Sequence, residues 1–280
     1  MRRRALLAAG FVAGSAAACS LLVDTGGLVG KAARGADAGA DGVADRDVGV
    51  TEGGGSDAPG NDGALAAQPC PPFALFCDDF ETGSLAKWQV ETPNGGTTIV
   101  DTVLARRGAR SLYARVLASV ATDAGPINSG ARARAPIGAA KKSGLLATRS
   151  WIYLPAELEG DTTILKLRAA SGPSDINLKV HTNKMLAVDA DTPGSGSIKV
   201  GSRAPPVQRW FCLEWRVTIG AAGHVMVALD GETIVDADEN TEVSSGFGEV
   251  AAGFTPTGHG SDGEVRFDDF AIADQPIACP

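Results

Sequence analysis

From about residue 69 onward, apolar and polar residues alternate along the chain in short runs. In residues 211–219 every second side chain is apolar, and Glu214, Arg216 and Thr218 occupy the positions between them. Successive side chains of a β-strand point to opposite faces, so this pattern predicts a strand with one buried face. The side chains of that buried face are Phe211, Leu213, Trp215, Val217 and Ile219.

A tight turn and many similar runs extend this prediction to the whole region. Asp230-Gly231 lies between the runs HVMVAL and ETIVDA, and this dipeptide readily takes the positive φ angles of a type I′ hairpin. Clusters of Gly, Pro, Asn or Asp separate most of the runs, and a helical period is almost absent. Short strands at this spacing predict an all-β domain, a sandwich or jelly roll of two antiparallel sheets, over residues 69–280. The runs are FALFCDDF, TTIVDT, SLYARVL, RSWIYLP, TTILKLRA, INLKVHT, MLAVDA, SIKVGS, WFCLEWRVTIG, HVMVALD, ETIVDA, EVAAGF and EVRFDDFAIA.

Residues 19–68 have a different composition. They are rich in Ala, Gly and Asp, contain no aromatic residue and show no helical or strand period. Such a segment buries too little apolar surface to offset the entropy lost on ordering. We therefore expect a disordered, acidic linker that begins at Cys19 and ends before the β domain.

The first residues have the layout of an export signal. Three arginines at positions 2–4 precede an uncharged, mostly apolar run, and three alanines at positions 16–18 precede Cys19. The run is too short to span a bilayer, and the order resembles a lipoprotein signal peptide over residues 1–18 with a lipobox. This resemblance implies lipid attachment at Cys19, a membrane partner through that lipid and a location in the cell envelope. Ser20 favours the outer membrane, and the face of the membrane stays open. The alternative is an ordinary signal peptide cut near Ala18.

Charge and cysteine content narrow the function classes. The formal net charge is −8, which argues against a nucleic-acid partner because such proteins carry a basic surface. Apart from Cys19 the chain has four cysteines, an even number, and export to an oxidising compartment predicts two disulfides among them. They are Cys70, Cys77, Cys212 and Cys279.

Several segments together resemble one fold family. FCDDFETGSLAKW at 76–88 and VRFDDFAIA at 265–273 are similar to each other, and ARRGARSLYARV and WFCLEWRVTIGAAGHVMVALDGETI lie between them. In this order they resemble the concanavalin A-like lectin/glucanase superfamily, including laminin-G-like jelly rolls, in which the first and last strands pair. That fold carries lectins, glycan-binding modules, glycosidases and polysaccharide lyases, so it does not fix function.

With the first and last strands paired, we expect disulfides Cys70–Cys279, closing the two ends of the domain, and Cys77–Cys212. A local Cys70–Cys77 bridge is the alternative. The resemblance also implies a structural calcium, held by the Asp269 carboxylate and by backbone carbonyls near Glu81 and Gly108. Alternatively these acidic residues cap strand ends or pair with Arg110 and Arg266. No cofactor is required for the functions considered.

The enzyme classes of this superfamily differ in the residues that mark their active sites. Its glucanases carry two carboxylates on one strand face in a Glu-x-Asp-x-Glu motif, which this chain lacks. Its lyases use Tyr or His as acid or base, with Arg or an amide to neutralise a uronate. Strand alternation offers three groups for such a site, and no catalytic residue is assigned among them. The groups are Arg149, Trp151 and Tyr153; Lys166 and Arg168; and Asn177, Lys179 and His181.

If these groups share one surface, they form a local basic cleft suited to an acidic polysaccharide. Otherwise they are the solvated outer sides of half-buried strands. The sequence therefore favours an envelope-anchored, non-catalytic binding module, with carbohydrate as the expected ligand. A polysaccharide lyase on the same scaffold, or a structural envelope protein without a small ligand, are the alternatives.

Overall fold

A computed structural model describes residues 70–117, 129–196, 198–257 and 262–280. The predicted signal peptide, lipidation site and linker lie outside the described residues. Within them the fold is all-β, with one short 3₁₀ turn at Pro93–Gly95. None of the described segments is a helix long and apolar enough to cross a membrane. The strands are β1 (Ala74–Asp78), β2 (Gln89–Glu91), β3 (Thr97–Asp101), β4 (Ser111–Val116), β5 (Ala131–Lys141), β6 (Gly144–Tyr153), β7 (Asp161–Ala169), β8 (Asp175–Val180), β9 (Leu186–Asp191), β10 (Lys199–Val200), β11 (Trp210–Ile219), β12 (Gly223–Leu229), β13 (Glu232–Glu239), β14 (Phe247–Thr257) and β15 (Gly263–Ala273).

The strands form two antiparallel sheets, as the alternation predicts. Sheet one has the order β13-β12-β11-β6-β15-β4-β3, and β1 also pairs with β15. Sheet two has the order β10-β9-β8-β7-β14-β5-β2. The first and last strands are therefore paired in one sheet, which confirms the expected jelly-roll arrangement.

The core lies between the sheets and is built from the apolar side of each strand. The five alternating apolar residues of β11 are all buried in it, and so are Val225, Val227 and Leu229 of β12. The β12–β13 hairpin turns at Asp230 and Gly231, whose φ angles of 50° and 82° confirm the type I′ prediction. The residues between these buried positions consequently point to the outer sides of the two sheets.

The disulfide prediction is wrong. The bonds are Cys70–Cys77 and Cys212–Cys279, so the local alternative is the correct one for Cys70. Cys77 lies on β1 and Cys212 on β11, with β15 and β6 between them in sheet one. Three strand spacings amount to about 14 Å, twice the Cα separation that a disulfide can bridge. The chain beyond β15 instead crosses the outer side of sheet one and brings Cys279 to Cys212.

Candidate functional site

The eight candidate residues do not share one surface. Arg149, Trp151 and Tyr153 lie on β6 in sheet one, whereas the other five lie on β7, on β8 or directly after β8, on the side of sheet two. The condition of one shared cleft is therefore not met, because alternation specifies the face of a strand but not the sheet to which the strand belongs.

The outward residues of β6 are partly covered. The C-terminal segment passes over Arg149, whose Nη1 donates to the Ala278 carbonyl at 3.5 Å, and Arg149 is only 7% exposed. Burial lowers the pKa of this guanidinium. The guanidinium of Arg106 lies 3.7 Å from the ring centroid of Trp151, a cation–π contact. Arg149 and Trp151 are therefore held by neighbouring loops.

The outer side of sheet two carries a dense layer of charged side chains, which we call the polar face. Its ion pairs run from β2 across β5, β14, β7 and β8 to β9, and most of its side chains are half-buried. Five basic side chains face five carboxylates: Arg132, Arg134, Lys166, Arg168 and Lys179 with Glu91, Asp161, Asp175, Asp189 and Glu249. The layer is close to neutral, so these residues do not form the basic cleft that a shared surface would have given.

Glu91 on β2 is the junction of three arginines. Its carboxylate lies 2.6 Å from Arg132 Nε, 3.1 Å from Arg134 Nη2 and 3.5 Å from Arg168 Nη1. Burial alone would raise the pKa of Glu91, but the hydrogen bond and the charges of these arginines hold it below its ordinary value. The negative charge of Glu91 is thus fixed in place.

At its centre the polar face carries only small residues, Ala251 and Gly253, which we call its floor. Ala251 of β14 lies beside Lys166 and Arg134 in the strand register, and Gly253 lies beside Arg132. Because these two residues have little or no side chain, Arg168 of β7 reaches across β14 and β5 towards Glu91 of β2. An open groove of about 370 Å³ continues at one end of this floor, lined by Arg134, Arg168 and Glu249 among others.

Asn177 and Lys179 are the most deeply buried of the predicted residues on sheet two. The Lys179 ammonium lies 2.7 Å from Asp189 and 3.3 Å from Asp161. Burial would lower its pKa, but the bonds and charges of these two aspartates raise it above the ordinary value. The side-chain amide of Asn177 donates to Asp175 at 2.7 Å. The residue is only 9% exposed, and its Oδ1 is buried without a partner. A buried acceptor without a partner in the protein is uncommon.

His181 follows β8 at the border of this face. Its Nδ1 lies 2.7 Å from Asp161 Oδ1, and its Nε2 lies 3.4 Å from the hydroxyl of Thr182. The side chain is therefore oriented by a carboxylate. Both tyrosines of the chain, Tyr113 and Tyr153, lie on strands of sheet one.

The sequence interpretation missed Arg132 and Arg134 because it assigned no strand to residues 131–141. Their signal was present: in ARARAPI the residues Ala131, Ala133, Ala135 and Ile137 are buried, and the arginines alternate with them. Alanine favours strands weakly, so the period of two was easily overlooked. Glu91 had less signal, since β2 has only three residues.

The residues around Asp269 do not fit the implied calcium. Arg106 and Arg107 lie 4.0 and 3.8 Å from the Asp269 carboxylate, and the Glu81 carbonyl accepts a hydrogen bond from Arg110 at 2.7 Å. Cations of the protein thus already occupy the neighbourhood of two expected ligands. Within the described ranges no group of three or more Asp, Glu, His or Cys side chains is placed to hold a metal.

The acidic residues near the strand ends instead bind protein donors. The Glu81 carboxylate accepts from the backbone N–H groups of Ala109 and Arg110, directly after Gly108. Asp268 accepts from the N–H groups of Arg106 and Arg107 at 2.8 and 3.1 Å. These contacts correspond to the alternative in which the acids fix loops and strand ends. Arg266, which that alternative named as a partner of these acids, pairs with Asp101 instead.

Comparison with known proteins gives structural neighbours only. No family model matches the sequence, and no curated protein matches it. The structure is similar to a "Cellulose induced protein, Cip1", with a TM-score of 0.56 and 17% identity over 73% of this chain and 100% of that one. It is also similar to an endo-β-1,4-glucuronan lyase from the fungus Trichoderma reesei, with a TM-score of 0.56 and 14% identity over 71% of this chain and 95% of the lyase.

A third neighbour is the alginate lyase vAL-1 from a Chlorella virus, with a TM-score of 0.50 and 11% identity over 71% of this chain and 99% of that one. At these identities the likeness concerns the fold. Together with the two antiparallel sheets and the paired terminal strands, it shows that the described residues have a jelly-roll fold of the concanavalin A-like type.

Proposed function

We propose that this protein is a non-catalytic carbohydrate-binding module, held at the cell envelope by a lipid on Cys19, and that its saccharide lies on the polar face of sheet two. The observation that carries the proposal is the open groove of about 370 Å³ on this face, in which Arg134, Arg168 and Glu249 are held by ion pairs. The Glu249 carboxylate can accept a hydrogen bond from a sugar hydroxyl, and the two guanidinium groups can donate to one.

Charge balance identifies the class of saccharide. Each basic side chain of the polar face already has a carboxylate within 4 Å. A strongly anionic polysaccharide would have to compete with these carboxylates, and the whole chain carries a formal charge of −8. An uncharged saccharide needs only hydrogen-bond donors and acceptors, which paired arginines, lysines and carboxylates supply at their free edges.

The arrangement of titratable groups favours binding over catalysis. A lyase needs a base within hydrogen-bond reach of the proton that it removes. Both tyrosines belong to the opposite sheet, and His181 lies at the border of the polar face with Nδ1 at Asp161. Among the described residues, neither a tyrosine nor a histidine therefore stands over the floor formed by Ala251 and Gly253.

A glycan array probed with the full chain tests this proposal. We expect capture by uncharged glycans, and Arg168→Ala should weaken the affinity for the captured glycan about tenfold because a charged hydrogen-bond donor of the groove is lost. Arg203→Ala is the matched control, since Arg203 forms an exposed ion pair with Glu232 and does not line the groove. Capture of no glycan, or equal affinity of the Arg168 variant and wild type, would contradict the proposal.

A polysaccharide lyase is the second candidate, favoured by the names of two structural neighbours and by the oriented His181–Asp161 pair. Incubation of the protein with glucuronan or alginate, followed by detection of unsaturated uronide ends, distinguishes it from a binding module. Product formation that Asp161→Asn or His181→Ala abolishes would replace the first proposal.

The lipid anchor has its own experiment. In cells fed a labelled fatty acid, wild-type protein should carry the label and sediment with membranes. Cys19→Ala should lose the label and be released, whereas Ser20→Ala, its neighbour control, should behave as wild type. Membrane-bound, labelled Cys19→Ala protein would disprove lipidation at this residue.

A further inference from the structure

Sheet one carries a second surface of a different kind on its outer side. The strand register places five outward residues side by side across five neighbouring strands, because each is the direct partner of the next. We call this the aromatic row. In order it contains Trp210 (β11), Tyr153 (β6), Arg266 (β15), Tyr113 (β4) and Ile99 (β3).

The aromatic row is fixed by contacts between its own members. The rings of Tyr153 and Trp210 are 5.6 Å apart with their planes tilted by 53°. The guanidinium of Arg266 lies over the Tyr113 ring at 4.6 Å and forms an ion pair with Asp101. Tyr113 donates its hydroxyl to Glu264 at 2.8 Å. The side chains are therefore ordered before any ligand arrives, which lowers the entropic cost of binding.

The row is open to solvent on either side of Arg266, which is only 7% exposed. Ile99 is 46% exposed, and the three aromatic side chains are partly exposed. With strands about 4.8 Å apart, five side chains cover about 19 Å. A length of this order suits an extended chain of several rings rather than a single small molecule.

A polar pocket adjoins the row at the ends of β4 and β15. It has a volume of about 240 Å³ and is lined by Arg115, Glu157 and Glu264, together with Pro155 and Leu158. Glu264 is the residue that also holds the Tyr113 hydroxyl, so the pocket and the row are continuous. Aromatic rings beside carboxylates and a guanidinium are the combination that recognises a sugar, whose C–H face stacks on rings while its hydroxyls bond to charged groups.

We infer that the aromatic row and its pocket form a second saccharide-binding surface, on the opposite side of the sandwich from the polar face. Its ligand is an uncharged β-1,4-linked chain, because equatorial linkages leave the sugar rings flat enough to lie along a row of side chains. The inference does not depend on the polar face being a binding site. If both surfaces bind, one molecule bridges two saccharide chains.

Calorimetric titration of the full chain with cellohexaose, xylohexaose and mannohexaose tests the second surface. The Arg168→Ala form is used so that the polar face contributes less. Tyr113→Leu, which removes the ring, should reduce the affinity for at least one hexasaccharide about tenfold, a loss typical of one aromatic contact. Tyr113→Phe keeps the ring and should bind within about twofold of its parent.

A pair of exposed substitutions guards against effects on folding. Ile99→Asp at the end of the row should weaken binding, whereas Val200→Asp, equally exposed at 43% but on the edge of sheet two, should leave it unchanged. All variants are compared by thermal unfolding. The inference is overturned if none of the three hexasaccharides binds, or if Tyr113→Leu and Ile99→Asp both bind like their parent.

Discussion

Glu91 shows how one side chain organises the polar face. Three arginine side chains converge on its carboxylate, so Glu91→Gln leaves three half-buried positive charges close together. We expect the free energy of unfolding at pH 7 to fall by about 1–3 kcal/mol, as measured by urea denaturation. Glu232→Gln, which removes an exposed pair with Arg203, is the control and should cost under about 0.5 kcal/mol.

The Glu91 carboxylate also makes the free energy of unfolding depend on pH, with a sign that follows from its pKa. The pKa of Glu91 is lower in the folded protein than its ordinary value, so its stabilising effect is present above the unfolded pKa. That contribution is lost as the pH falls through the folded pKa. The stability difference between wild type and Glu91→Gln should therefore shrink in acid, and a difference that grows below pH 4 would contradict this account.

Asp268 should make the free energy of unfolding depend on pH with the opposite sign to Glu91. It is 1% exposed, and burial raises its pKa to about 7, against the effect of the backbone N–H groups that it accepts from. A raised folded pKa means that the folded state binds the proton more tightly, so stability falls as the pH rises from about 5 to about 7. The slope for one group is at most about 1.4 kcal/mol per pH unit. Asp268→Asn should show a smaller fall over this range, and identical pH profiles for the two proteins would refute the assignment.

At the scale of the strands, the sequence was most informative where side chains alternate between strongly apolar and charged. β11 and β12 and the hairpin at Asp230 were predictable because their large apolar side chains have only one way to be buried. β5 was missed because alanine and arginine alternate there, and alanine contributes little burial. Strand pairs that join distant parts of the chain, such as β1 with β15, came from the resemblance and not from alternation.

The Cys212–Cys279 disulfide ties the C-terminal segment to β11. It closes a loop of 67 residues, whereas Cys70–Cys77 closes a loop of only 7. In the chain-entropy model these loops correspond to about 4 and about 2 kcal/mol of stabilisation. The double variant Cys212→Ser/Cys279→Ser lacks the long-loop disulfide, and Cys70→Ser/Cys77→Ser lacks the short-loop one. The first variant should therefore lose more of the free energy of unfolding than the second.

Urea denaturation of the two double variants checks this order. The C-terminal bond has a further local role, since the Cys279 backbone N–H donates to Glu214 at 2.7 Å and the neighbouring carbonyl accepts from Arg149. Loss of the bond should also expose the outer side of β6 to solvent, visible as faster hydrogen exchange around Arg149. An equal or smaller loss of stability than in the Cys70/Cys77 variant would show that the loop entropy does not dominate.

At the scale of the whole molecule, the candidate site could be predicted only in part. Alternation correctly put Lys166, Arg168, Asn177 and Lys179 on outward positions, and the structure brings them together on sheet two. It could not show that β6 belongs to the other sheet, because sheet membership depends on pairing between distant strands. Nor could it show the acidic partners, which come from five strands or strand borders spread over residues 91–249.

The charge balance of the polar face leads to a prediction about salt. If the ligand were a polyuronate drawn by free basic groups, its affinity would fall steeply as added ions screen the attraction. On a face where each arginine and lysine is already paired, an uncharged saccharide gains nothing from long-range attraction. Its dissociation constant should therefore change less than about threefold between about 0.05 M and about 0.5 M sodium chloride, as measured by calorimetry. The Glu91→Gln form leaves Arg132 without a carboxylate partner and Arg134 and Arg168 with Glu249 alone. This form should acquire some affinity for alginate in low salt that disappears in high salt. Wild-type binding that weakens more than tenfold across this range would show instead that the face acts as a cationic site.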